Sequence, residues 1–218
     1  MTASTEIMTA APHALAPHAD EGARRGTDTT LVGVLLFITS EVMFFAGLFA
    51  AYFAAKVSHA GPWPPPGYHI EIEIAIALLA ILLTSSLTME MALRSIRKGN
   101  RAGMVRWTGA TLALGSIFLV GQLYDYWLLD FGITGLDAGG EALDAVYGSV
   151  FYTLTGFHGA HVFGGVFAIG IMLLRGLGGQ FSPRHHAAIE GVSWYWHFVD
   201  IVWIALVTTL YVLPLLGV

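Results

Sequence analysis

From Thr30 onward the chain is a succession of long apolar runs separated by short polar joints. Five runs are long enough to cross ~30 Å of hydrocarbon as α-helices rising about 1.5 Å per residue. They fall at about 29–56, 70–96, 104–129, 144–175 and 187–214. Inside lipid only helices and closed barrels satisfy their backbone groups, and these unbroken runs lack the alternation of barrel strands. Between the first two lies Gly61-Pro62-Trp63-Pro64-Pro65-Pro66-Gly67, which cannot be helical and reads as a stiff surface turn. Residues 1–28 are different in kind, rich in Ala, Thr, Pro, His and charge. No short apolar core follows Arg24-Arg25 as a secretory signal would require, so this segment predicts a disordered tail. The expected fold is therefore all-α: a tail over 1–28, then a polytopic membrane domain over 29–218 forming a five-helix bundle.

Composition agrees with that pattern. Of 218 residues only 11% are charged and 56% are hydrophobic, against about 25% charged in a soluble domain. A formal charge of −5 offers no basic field for nucleic acid. The absence of cysteine rules out disulfides, thiolate zinc sites, iron–sulfur clusters and cysteine-bridged copper. The basic residues also predict orientation. Arg24, Arg25, Arg94, Arg97, Lys98, Arg101, Arg106, Arg175 and Arg184 fall on one side of the spans, and only Lys56 falls on the other. By the positive-inside rule the N-terminus is cytoplasmic and, after five crossings, the C-terminus is outside.

Small residues recur every four positions at Gly156, Ala160, Gly164 and Ala168 in the fourth span, and at Ala46, Ala50 and Ala54 in the first. Such ladders predict close helix–helix approach. Ionisable groups deep in a span cost several kcal/mol and point to function. Five lie at matching depth: Glu41 in the first span, His158 and His161 on one face of the fourth, His197 and Asp200 on one face of the fifth. They predict a buried polar cluster. A metal half-site, a b-type haem held by His158 and His197, a proton-passing group, and hydrogen-bonded helix glue all compete for it. The partners that each metal-bound imidazole needs argue against metal, because the same short list would have to supply ligands and their supports. A network linking the first, fourth and fifth spans without metal is expected.

Other polar residues read more simply. Glu90 and Arg94 suit an i, i+4 surface pair. Asp125 within Tyr124-Asp125-Tyr126-Trp127 suits the outer interface. Trp194-Tyr195-Trp196 reads either as belt or as packing. His185-His186 with Glu190 lies at the cytoplasmic mouth of the fifth span, where lipid headgroups or a partner are to be met.

At Ser40-Glu41-Val42-Met43-Phe44-Phe45-Ala46-Gly47, Val146-Tyr147-Gly148-Ser149, Thr155-Gly156-Phe157-His158-Gly159-Ala160-His161-Val162 and Trp194-Tyr195-Trp196-His197-Phe198-Val199-Asp200, the chain resembles subunit III of the haem–copper oxidases, in the cytochrome c oxidase branch. The resemblance covers about 30–214 and suits the short five-helix bacterial form. It implies a non-catalytic subunit without redox centre or bound metal, in a proton-pumping oxidase of the bacterial inner membrane. Subunits I and II would be its partners, with haem and copper held in the catalytic subunits. It further implies packing on subunit I, structural phospholipid, and support of proton uptake and turnover stability. Arg175 falls where the family has a lipid-binding arginine, and His185 is expected beside it on the cytoplasmic side. A quinol oxidase subunit III and a proton-coupled membrane transporter are the alternatives, the latter disfavoured by missing repeats and unbroken helices.

Overall fold

A computed structural model describes residues 28–66, 68, 72–129, 131–133 and 145–217. The predicted tail lies outside these residues, apart from Asp28. The described chain is five long helices: α1 (Thr29–Ser58), α2 (Ile72–Arg97), α3 (Arg101–Leu128), α4 (Ala145–Leu177) and α5 (Ala187–Val207). A π-helical turn, Thr208–Val212, and a last α-helical turn, α6 (Leu213–Leu215), continue α5. All five helices are long and apolar enough to cross a membrane. The all-α, five-span bundle expected from the hydrophobic runs is the observed fold.

Local chemistry sets the helix ends. Asp28 caps α1 by accepting from the Thr30 N–H at 2.9 Å, and Asn100 caps α3 by accepting from Gly103 at 2.8 Å. Two helices stop in the same way. Gly99 (φ 76) and Gly179 (φ 74) take the left-handed conformation after α2 and α4. There Asn100 N–H bonds Ser95 O and Gln180 N–H bonds Arg175 O, closing the last carbonyls in Schellman fashion. Arg101 adds a side-chain cap, its guanidinium donating to Gly176 O at 2.9 Å and to Leu177 O.

α5 is the centre of the bundle, packed against α1, α2 and α4, while α2 pairs with α3 and α3 with α4. α1 is peripheral: only Phe45 and Tyr52 are buried along its length. Trp196 and Trp203 are the largest wholly enclosed side chains among the described residues. A Cβ on Gly165 would meet the Trp196 ring at 2.7 Å and one on Gly115 would meet it at 2.8 Å. These two glycines, on α4 and α3, form a slot for the indole.

The small-residue ladder of α4 is a correction. A Cβ on Gly164 would meet nothing closer than 3.7 Å, and one on Gly156 nothing closer than 3.9 Å. The close approaches use Gly148, Gly165 and Gly176 instead, on the stripe that buries Phe151, His158, Val162 and Ile169. The ladder of α1 is likewise exposed at Ala46, Ala50 and Ala54. The proline-rich turn is a second correction. Trp63 is half-buried and Pro65 buried. Trp63 Nε1 donates to the Tyr52 hydroxyl at 3.0 Å, which donates to Thr209 O of the π turn at 3.2 Å. The turn is thus tied down over the end of the bundle.

Candidate functional site

The five deep ionisable residues fall into two hydrogen-bonded groups and one isolated ring. Glu41 of α1 and His161 of α4 form the first group, with Oε2 and Nε2 2.8 Å apart and side chains 19% and 16% exposed. His161 Nδ1 lies 2.6 Å from Phe157 O. A carbonyl only accepts, so Nδ1 carries hydrogen. The Nε2 contact then needs one proton between two acceptors: an imidazolium facing a carboxylate, or a carboxylic acid donating to a neutral ring. Either way the pair holds one shared proton. Phe45 lies edge-on to the imidazole at 4.9 Å and Phe44 stacks on it at 6.0 Å. Tyr195 of α5 donates to His161 O at 2.9 Å. Through His161 the first, fourth and fifth helices are joined, and the link on α5 is Tyr195.

His197 and Asp200 of α5 meet over Ser86 of α2. Ser86 Oγ lies 2.8 Å from His197 Nδ1 and donates to Asp200 Oδ2. Ser86 thus holds two ionisable side chains with one small group. Ser86 belongs to the hydroxyl run Thr84-Ser85-Ser86, which the hydrophobic pattern alone does not single out. Ser85 serves the same interface by accepting from Trp196 Nε1 at 2.9 Å, and Thr88 meets Thr111 of α3 at 2.8 Å.

His158 joins neither group. It is fully buried, stacked on Trp203 at 4.9 Å with Phe118 edge-on at 5.8 Å. Among the described residues no three His, Asp or Glu side chains converge as a metal site requires.

Asp125 is 3% exposed rather than facing the outer interface, while its neighbours Tyr124 (54%) and Trp127 (78%) do face outward. A helix turns consecutive residues through ~100°, so belt and interior alternate within this tetrapeptide. At the opposite end, Arg97 of α2 donates to Glu190 of α5 at 2.9 Å, and His186 Nε2 lies 3.4 Å from the other Glu190 oxygen. Arg94 and Glu90 make the expected pair at 2.8 Å. Arg175 donates from Nε to Gln180 at 2.9 Å and lies over the Phe181 ring at 5.0 Å. His185 is exposed and folded back on Ser182. The glutamine at 122 and the arginine at 101 also carry weight in the structure and did not stand out in the sequence.

The sequence family described as cytochrome c oxidase subunit III matches residues 17–214. A "Probable cytochrome c oxidase subunit 3" of Nocardia farcinica is 43% identical over 180 residues, covering 83% of this chain and 86% of that protein. The "Cytochrome c oxidase subunit 3" of Corynebacterium diphtheriae is 41% identical over 183 residues, with the same coverage. That of Locusta migratoria is 40% identical over 203 residues, covering 88% of this chain and 74% of its own. Glu41, His158, His161, His197 and Asp200 all lie within the matched span. The chain belongs to the cytochrome c oxidase subunit III family.

Proposed function

We propose that this chain is the non-catalytic subunit III of a proton-pumping cytochrome c oxidase in a bacterial cell membrane, packed on subunit I alongside subunit II. The observation that carries this reading is a family match running along the whole five-helix bundle. In this reading the chain stabilises the catalytic subunit through turnover and sustains its proton uptake, while haem and copper chemistry takes place in the partner subunits. The interior supports such a role. Glu41, His161, His197 and Asp200 are engaged with one another, with Ser86 and with backbone, and so brace helices. The test is copurification. In mild detergent this chain should travel with a haem-bearing catalytic subunit, and an oxidase lacking it should begin O2 reduction normally and then lose activity during turnover. A preparation in which the chain runs alone would overturn the reading.

Phospholipid binding belongs to the same proposal. A groove of about 450 Å³ between α1, α4 and α5 is lined by Val34, Phe37, Gly164, Ala168, Met172 and Tyr195. One turn beyond Met172 stands Arg175, whose Nε is taken by Gln180. Its terminal nitrogens are left for a phosphate, with the exposed His185 on the same side. An acyl chain in the groove and a headgroup at Arg175 and His185 fit the geometry and the polarity at a membrane interface. Arg175→Ala should lower the number of phospholipids retained per purified complex, counted by mass spectrometry. An unchanged count would leave Arg175 as an ordinary interfacial cation.

A further inference from the structure

We propose that the meeting point of α3, α4 and α5 in the middle of the bundle is a binding site for water, held by Gln122, His158 and Trp203. His158 and Trp203 are fully buried and Gln122 is 3% exposed. Five polar atoms are concerned: both amide atoms of Gln122, both ring nitrogens of His158, and Trp203 Nε1. None meets a hydrogen-bond partner among the described residues.

His158 and Trp203 are in contact, and the register of α3 against α4 brings Gln122 to the same level. The His158 ring stacks on Trp203 at 4.9 Å, and Phe118 touches both rings, at 5.8 and 5.1 Å. Gln122 lies one turn beyond Phe118 on α3. One turn further, Tyr126 donates to Thr155 of α4 at 2.7 Å. Since Phe118 faces His158 and Tyr126 faces Thr155, Gln122 is opposite the 155–158 turn of α4.

An unsatisfied polar group in a membrane interior costs several kcal/mol. Stacking alone does not sustain the five, because ring contacts satisfy no N–H or lone pair. The chemistry of the set matches water. A neutral imidazole has one donor and one acceptor, the amide has both kinds, and the indole has a donor. Water supplies two hydrogens and two lone pairs to such a set. A metal ion would leave the indole and amide N–H groups unmet. Gln122 also lies on the wall of a groove of about 380 Å³ between α3 and α4, lined by Tyr126, Gly156, Gly159 and Ala160. A side chain of another subunit entering there is the rival occupant.

Two measurements on the intact oxidase decide between them. A map that resolves ordered water should show density within ~3.2 Å of at least two of the five atoms. No density there, or a partner side chain in its place, overturns the proposal. The second measurement follows the temperature at which this chain leaves the complex, for Gln122→Leu, His158→Phe and the double variant. Water shared by the two residues makes each single change lower that temperature, and makes the double change cost less than the two added. Independent, additive shifts of either sign overturn the shared site.

Discussion

At the scale of single residues, the Glu41–His161 contact decides most, because its geometry fixes a proton count. Nδ1 donates to Phe157 O, so the 2.8 Å contact at Nε2 exists only with one proton in it. A glutamine at position 41 supplies an N–H to a neutral Nε2 and preserves the bond without the ionisable proton. Glu41→Gln should therefore keep the chain in the purified oxidase under detergent and heat, while Glu41→Ala leaves a partly buried nitrogen unpaired. The cost of the alanine should be about 1–3 kcal/mol, read as earlier loss of this chain on heating. Equal loss in both variants would show that the shared proton itself, not the hydrogen bond, holds α1 to α4. Ser86→Ala should behave like the alanine variant, since it strips Asp200 and His197 of the one group both use. The carboxylates and imidazoles were legible in the sequence because charge in an apolar run stands out. Their mediator Ser86 was not: a serine in a membrane helix is ordinary, and only the facing helix shows what it holds.

At the scale of elements, α4 shows why spacing alone misplaces a packing face. Positions 156, 160, 164 and 168 drift around the helix, because four residues exceed the 3.6 of a full turn. The stripe through Thr155, His158, Val162, Gly165, Ile169 and Met172 alternates steps of three and four and stays on one side. That second pattern was present in the sequence too, but it mixes large and small residues and hides among other apolar positions. The difference is testable on adjacent glycines. Gly165→Leu drives a side chain into Trp196, whose indole is already clasped by Gly115 and bonded to Ser85. It should cost at least the ~1–3 kcal/mol of an overpacked core and reduce the amount of folded chain in the membrane. Gly164→Leu meets only the rim of the Tyr195 hydroxyl at 3.7 Å, so the chain should still fold. If lipid or a partner helix fills the α1–α4–α5 groove, that variant should affect the occupant alone, seen as fewer retained phospholipids or weaker association. Equal loss of folded chain in both variants would restore the ladder as the packing face.

At the scale of the whole molecule, the two ends of the bundle are built from different chemistry. One end gathers the α2–α3 and α4–α5 connections, where Arg97 reaches Glu190 and Arg101 closes the α4 carbonyls. Arg94, Lys98, Arg106, Arg175 and Arg184 lie at or near the same joints in the chain. The other end has the Trp63–Tyr52–Thr209 latch and a collar of rings, with Tyr68 edge-on to Phe131 at 4.6 Å and to Tyr147 at 4.7 Å. Five crossings place these basic residues on one side, and the packing of α5 on both α2 and α4, with Arg97 on Glu190 and Arg101 on the end of α4, brings their connections together independently. Basic joints are retained on the cytoplasmic face, whereas aromatic rings suit either interface, so the arginine end sets the direction. A reporter in the Arg94–Arg106 connection should therefore be cytoplasmic, and one fused after Val218 should lie outside. Reversing the bias, with Lys98, Arg106 and Arg184 made neutral and lysines added to the 59–66 turn, should populate the inverted form. Arg101 is left untouched in that variant, because it also caps α4 and its loss would confuse folding with orientation. Finding both wild-type reporters on one side would remove the five-span topology.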